Sequence, residues 1–256
     1  MSDDIVSSFK KISLNDYKVV STFDEVENAS KCFEKESIVS IDCEGVDLGR
    51  VGQCTLLQMK GKDDPCCYVF DLVALKKEDL KPIKQILEDT NITKLIFDGR
   101  QDCDALLWQF DIRVQNMIDL QLLETSVRRR KGLATRFYGG YVKAIESYLS
   151  LSYDERARIT KARTVVSDIV DGEKSKGFKP FSFWASRPLS DDLFAYAAND
   201  VKYSYQLYEK MAAMFSVTEM SKLRTTSEYR VNKYRDSDKE LPNDRSRAQV
   251  EKQYLI

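Results

Sequence analysis

The chain has 256 residues, 43% apolar and 11% aromatic, enough to bury the core of one sizeable domain with appendages. Charged residues make up 32%, and no run of about 18 apolar residues occurs, which argues against a membrane-spanning helix. There is no histidine, so Ser-His-Asp and Cys-His catalysis and His-ligated zinc are excluded, and acid–base or metal chemistry falls to Asp, Glu, Tyr, Lys or Cys.

Residues 1–11 are polar and lack the apolar core of a secretory signal. Cys32, Cys43, Cys54, Cys66, Cys67 and Cys103 form no C-x-x-C pair, and several lie in apolar runs. They read as inert thiols of a protein in a reducing compartment, nucleus or cytoplasm, without structural disulfides. The net charge of −1 hides an asymmetry: residues 128–190 hold 14 Lys/Arg against 6 Asp/Glu, a net of +8, which leaves −9 for the remainder. That distribution fits either a local surface facing a polyanion or a solvated charged loop.

In chain order, residues 17–20 read as a short strand and 23–35 follow with helical spacing. Residues 37–46 (SIVSIDCEGV) open as a β-branched apolar run, a strand entering the core. Residues 51–60 and 66–72 are two further strands, separated by a turn-like segment ending in Pro65, so three strands in succession predict an antiparallel meander. The period then changes. Residues 77–90 form an amphipathic helix with Leu80, Ile83 and Leu87 on one face. Residues 93–97 (TKLIF) are a buried strand, 102–110 a helix, and 117–120 a strand that runs into a helix through Leu123. This alternation predicts a parallel portion of the sheet, hence an α/β domain with a mixed sheet.

Beyond Arg128 the pattern is mostly helical, with one helix over 141–149. The charged stretch 153–177 is too weakly patterned to be assigned an element. Ser190 is a good N-cap, with Asp191 and Asp192 at the positive end of a helix expected to run to about Phe215. Phe194, Ala197, Val201, Tyr205 and Tyr208 share a face of it. Residues 229–256 are charged and poor in apolar side chains, and a frayed or disordered tail is expected. The organisation read from this pass is an extension over 1–16, a domain over 17–215, and a charged extension over 216–256, partly helical or disordered.

Three pieces of this pattern carry chemistry. Asp42 and Glu44 are i and i+2 at the end of the first core strand and point to one face, where two carboxylates repel unless a cation lies between them. The bland reading of such a pair is a solvated strand end. The second piece is KLIFDGRQDCDALLWQF, where a buried strand ends at Asp98-Gly99 and a helix opens near Asp102; acidic residues there also serve as plain helix-dipole complements. The third is Tyr196 and Asp200, i and i+4 on the long helix, which share a face with its apolar stripe and therefore need partners.

Taken together, D-x-E, a strand-to-helix Asp and Y-x-x-x-D, in that order, resemble the DEDDy family of 3′-5′ exonucleases, which includes ribonuclease D. The segments IDCEGVDLGRVGQ, FDGRQDCDALL and WASRPLSDDLFAYAANDVKYSYQLY look like its three motifs, over roughly residues 17–212, with the exonuclease 3′-5′ domain-containing branch nearest. The resemblance implies a ribonuclease H-like mixed sheet flanked by helices. It implies Asp42, Glu44, Asp102, Tyr196 and Asp200 as catalytic residues, the four carboxylates holding two divalent ions, Mg²⁺ or Mn²⁺. Asp102 is preferred to Asp98 for its spacing from Gly99 and the helix start; Asp98 stands where relatives often carry histidine. The segment between Leu149 and Trp184 looks longer than in ribonuclease D.

The implied substrate is the 3′ end of single-stranded RNA, processed to nucleoside 5′-monophosphates. Trp184, Phe183, Arg187 and Arg50 are candidates for stacking on bases, and Arg128, Arg129, Arg130, Lys131 and Arg136 for tracking the backbone. Two rivals share the fold: an RNA-binding scaffold that has lost its carboxylates, and a DNA 3′-5′ exonuclease. Retention of all five site residues argues against the first, whereas the motifs do not separate the two sugars. The branch it resembles includes homodimers.

Overall fold

The computed structural model describes residues 17–179, 181–236 and 249–256; the extension expected over 1–16 lies outside them. Its six strands are β1 (Tyr17–Val20), β2 (Ile38–Val46), β3 (Gln53–Gly61), β4 (Cys67–Asp71), β5 (Thr93–Ile96) and β6 (Met117–Asp119), in the spatial order β1-β4-β3-β2-β5-β6. The β2-β3-β4 meander is antiparallel. Strand β1 joins β4 in parallel, β5 joins β2 in parallel, and β6 follows β5. The sheet is therefore mixed, with both expected portions present.

Alternation along β2 separates two jobs. Val39, Ile41 and Cys43 face a core shared with helices α1 (Phe23–Phe33), α2 (Lys81–Glu88) and α3 (Arg100–Phe110). Ser40, Asp42 and Glu44 face the opposite side, as period 2 requires. There Leu56 and Val69 of β3 and β4 meet Ala197 and Val201 of a helix lying across the strands. A third cluster, beside β5 and β6, is filled by α4 (Leu120–Arg130), α5 (Tyr141–Tyr148) and the chain beyond them.

The structure departs from the sequence expectations in three places. Residues given no element form a long helix, α6 (Tyr153–Ser175), with a capping box between Ser152 and Glu155 and Ile159, Ala162, Val166 and Val170 buried. The S-x-x-E start was readable; the sparse apolar stripe among many charges hid the rest. The helix expected to reach Phe215 is two: α7 (Asp191–Lys202) and α8 (Ser204–Ala212). It breaks at Tyr203, whose backbone N–H is diverted to the Tyr141 hydroxyl (3.2 Å).

The third departure is the tail. Helix α9 (Val217–Arg235), opened by a capping box between Ser216 and Glu219, buries Leu223, Ser227, Arg230 and Val231 against α3, α4 and β6. Tyr254 and Leu255 return to the core. The expected fraying is thus corrected for 229–236 and 249–256; the call over 237–248 falls outside the described residues. Composition misled because two of the anchoring groups, Ser227 and Arg230, are polar and find partners inside. Leu223→Ala is expected to destabilise the fold by about 2–4 kcal/mol in urea unfolding, the cost of a cavity at a fully buried leucine. A change within experimental error would restore the tail reading.

Candidate active site

Strand β2 delivers Asp42 and Glu44 to the face under α7. The strand bulges between Glu44 and Gly45, and a Cβ at Gly45 would lie 2.1 Å from the Gln53 carbonyl oxygen, so glycine allows β3 to close on the bulge. From above, α7 brings Tyr196 and, one turn later, Asp200. Ser190 caps this helix by accepting from the Leu193 N–H. One carboxylate oxygen each from Asp42, Glu44 and Asp200 lie within 4.8 Å of one another. Asp102, in the first turn of α3, approaches from the far side of β2: its Oδ1 accepts the backbone N–H of Cys43 (2.9 Å), between the two strand carboxylates. Asp42, Glu44, Asp102, Tyr196 and Asp200 thus converge.

The electrostatics are those of crowded like charges. Burial, then the charges of Asp102, Asp200 and Glu44, hold the Asp42 carboxyl well above its ordinary range. Burial, then Asp200 and Asp102, do the same to Glu44. Asp200 is pushed up to about 7 by burial and by Asp102, against the pull of Arg163. The Tyr196 phenol is raised, first by the Asp200 charge and then by burial, so it stays protonated and remains a donor. Four hard oxygen donors that repel one another fit divalent cations of the Mg²⁺ or Mn²⁺ type, which would relieve the repulsion.

The nucleotide-contact candidates fare differently. Trp184 is 0% exposed, so it does not stack on bases; its ring lies 6.1 Å from that of Tyr196 and backs the tyrosine instead. Phe183 is buried beside it. Arg187 grips both oxygens of Asp71 (2.7 and 2.6 Å) and donates to the carbonyls of Trp184 and Ser186, so its N–H groups are committed within the fold. Arg50 is clamped by Asp104 and the Tyr234 carbonyl and lies over the Trp108 ring. Arg128 holds Glu124 and the carbonyls of Ala134 and Phe137, while Arg130 pairs with Glu219. Arg129 and Lys131 are exposed. Isolated Arg and Trp in a sequence do not disclose such internal partners, and the base-stacking expectation is corrected for Trp184.

Sequence reading passed over Arg163. It projects from α6 into a small crevice shared with Tyr196, Asn199, Asp200 and Tyr141, and its charge lowers both Tyr196 and Asp200. No local motif marks it, because its place depends on α6 crossing α7. A cleft of about 1140 Å³ opens from Glu44 along residues 45–53 and past Gln101, Lys179 and Phe181, so the carboxylate cluster meets it at Glu44.

Strand order, the carboxylates of the central strand and the helix laid over them define a ribonuclease H-like α/β domain. A family model described as 3′-5′ exonuclease matches residues 17–216, and the chain belongs to that family. Among curated proteins it is similar to the ribonuclease D of Shewanella sp. (strain ANA-3), 25% identical over 180 residues, covering 70% of this chain and 38% of that protein. It is similar also to the piRNA biogenesis protein EXD1 of Mus musculus, 26% identical over 222 residues, covering 86% of this chain and 36% of that protein. The chain thus spans about two fifths of these relatives. Among solved structures, Trypanosoma brucei RNase D in its GMP complex shares the fold with a TM-score of 0.74 at 23% identity, over 94% of this chain and 71% of that one. The complex of the same enzyme with RNA U12 gives 0.73 at 22%, over 97% and 82%. No helix among the described residues is long and apolar enough to cross a membrane.

Proposed function

We propose that this protein is a metal-dependent 3′-5′ exonuclease that shortens RNA from its 3′ end and releases nucleoside 5′-monophosphates. One observation carries the reading: in a chain of the 3′-5′ exonuclease family, the carboxylates of Asp42, Glu44 and Asp200 gather within 4.8 Å beside a protonated tyrosine, with Glu44 lining an open cleft. RNA is favoured over DNA by the relatives named ribonuclease D and by the RNA U12 complex of the Trypanosoma brucei enzyme.

In this reading Asp42, Glu44, Asp102 and Asp200 would hold two divalent cations, whose charge supplies water activation and stabilisation of the leaving oxygen. Everything else falls to side chains of the chain itself. Asp102 is fixed by the Cys43 N–H, which sets the direction of its carboxylate. Tyr196 donates its hydroxyl to the attacking water and orients it; Trp184 restricts the ring that carries that hydroxyl. Arg163, exposed at the rim, meets the phosphate of the terminal nucleotide and offsets its charge. Arg129 and Lys131 remain available to track a phosphate backbone.

The test is a gel assay of 5′-labelled single-stranded RNA beside the matching DNA, with Mn²⁺, Mg²⁺ or EDTA. A ladder shortening from the 3′ end with metal and lost in EDTA is expected. A native-gel shift of the RNA with no shortening under either metal would replace this reading with an RNA-binding scaffold. Tyr196→Phe removes one hydroxyl and is expected to lower kcat about 10²-fold with KM little changed, the usual size of a positioned proton-handling group. Unchanged kcat would remove Tyr196 from the mechanism.

A further inference from the structure

Helix α3 carries Asp102 in its first turn, so the direction of that carboxylate is set by the turn that starts the helix. The turn is unusual. Asp98 sits at φ 64, a left-handed conformation that costs a non-glycine residue free energy, and at the following Gly99 a Cβ would lie 2.3 Å from Ile96 Cδ1. Such a turn persists only where its surroundings hold it.

The holding groups form a quartet of charges, of which Arg100, Asp119 and Arg230 are buried. The Asp98 N–H donates to Asp119 Oδ1 (3.0 Å), and the Asp98 carboxylate accepts from Arg100 Nε (2.5 Å) and Nη2 (2.8 Å). Arg230 closes the circuit. Its Nη1 pairs with Asp119 Oδ2, its Nη2 donates to Gln121 Oε1 (2.8 Å), and Nη2 lies 3.5 Å from Asp98 Oδ1. The guanidinium is fully buried and lies 4.3 Å from the centroid of the Tyr138 ring. Two arginines and two aspartates balance, and Ser227 of the same helix accepts the Asp119 N–H (3.0 Å).

Arg230 and Ser227 belong to α9, beyond residues 17–216 that the family model matches. We infer that Arg230 is a positioning residue for Asp102: from the C-terminal helix it fixes the Asp98-Gly99-Arg100 turn and so aims the α3 carboxylate at the site. This makes the C-terminal helix part of the active-site scaffold, and it gives Asp98 a structural task in place of a ligand's. The inference rests on the proposed two-ion nuclease reading.

The experiment measures Mn²⁺ binding by calorimetry and electron paramagnetic resonance on the full chain, with RNA turnover and thermal unfolding in parallel. Wild type, Arg230→Met, Arg230→Lys, Asp98→Asn and Leu223→Ala are compared. Leu223→Ala loosens α9 without touching Asp98. Arg230→Met is expected to keep one ion near wild-type affinity, to weaken the other at least tenfold, and to need correspondingly more Mn²⁺ for turnover. Arg230→Lys should recover part of the loss, and Asp98→Asn should reproduce it. If Arg230→Met does not fold, Arg230→Lys and Asp98→Asn carry the same test. Wild-type affinity for both ions in the folded variants overturns the inference. So does an equal weakening in Leu223→Ala, since that marks general loosening of the helix. A wild-type protein that binds no Mn²⁺ and cuts no RNA instead overturns the nuclease reading.

Discussion

Asp42→Asn is expected to abolish RNA shortening, by at least about 10³-fold, or roughly 4 kcal/mol of transition-state stabilisation. Asp42 is the carboxylate with the most carboxylate neighbours: Asp102, Asp200 and Glu44 all raise it. In the proposed mechanism it is one of the four carboxylates that would hold the two ions, and its loss would weaken that site where the carboxylates crowd most. The substitution keeps the volume and one oxygen, so the fold should survive. RNA affinity on a native gel should remain close to wild type, because the cleft walls are untouched. The assay is the labelled-RNA ladder with Mn²⁺, scored beside thermal unfolding. A folded variant with turnover within tenfold of wild type would break the link between this cluster and catalysis.

The second large effect concerns stability. Asp200 titrates near 7 in the folded protein against an ordinary 3.8, and Asp42 and Glu44 are raised as well. The folded state therefore holds these protons more tightly than the unfolded chain. The stability that they contribute is complete below the ordinary carboxylate range and is lost as pH rises through about 7. Other carboxylates run the opposite way: Glu25, Glu155 and Glu219, each bonded at a helix start, are lowered and lose their contribution in acid. The informative window thus lies between pH 5.5 and 7.5, roughly, above the ordinary carboxylate pKa values.

In EDTA at the upper end of that window, Asp200→Asn is expected to raise the Tm by several degrees, at about 2–4 °C per kcal/mol for a chain of this size. The gain should shrink as pH falls to the lower end. Saturating Mn²⁺ should reverse the order, since ligation stabilises only the protein that keeps its carboxylates; an ion at a hundred times its Kd contributes about 2.7 kcal/mol. Differential scanning calorimetry across pH, with and without metal, reads both effects. A Tm lowered by Asp200→Asn in EDTA at neutral pH would mean that the cluster is held by internal partners and needs no cation.

Much of this molecule is determined by sequence alone. The apolar run into Asp42 and Glu44, the antiparallel meander, the βα alternation from Thr93 and the Ser190 cap are local patterns, set by side-chain period and capping chemistry within a few residues. The placement of the five candidate residues was legible for the same reason: Asp42 and Glu44 share a strand face, Tyr196 and Asp200 share a helix face, and Asp102 opens a helix. What only the tertiary structure decided are the relations between distant segments. That α6 crosses α7 and brings Arg163 to Asp200 leaves no trace in either helix. That Tyr203 gives its N–H to Tyr141 and ends α7 depends on a residue 62 positions away. Trp184 and Arg187 have the residue types of base-binding groups, and the burial of Trp184 and the hold of Arg187 on Asp71 arise only when the segment 182–187 meets the sheet. The C-terminal helix is the clearest case. Its composition reads as a solvated tail because the groups that seat it, Arg230 and Ser227, are polar, and a polar side chain is stable in a core only when the fold supplies its partners.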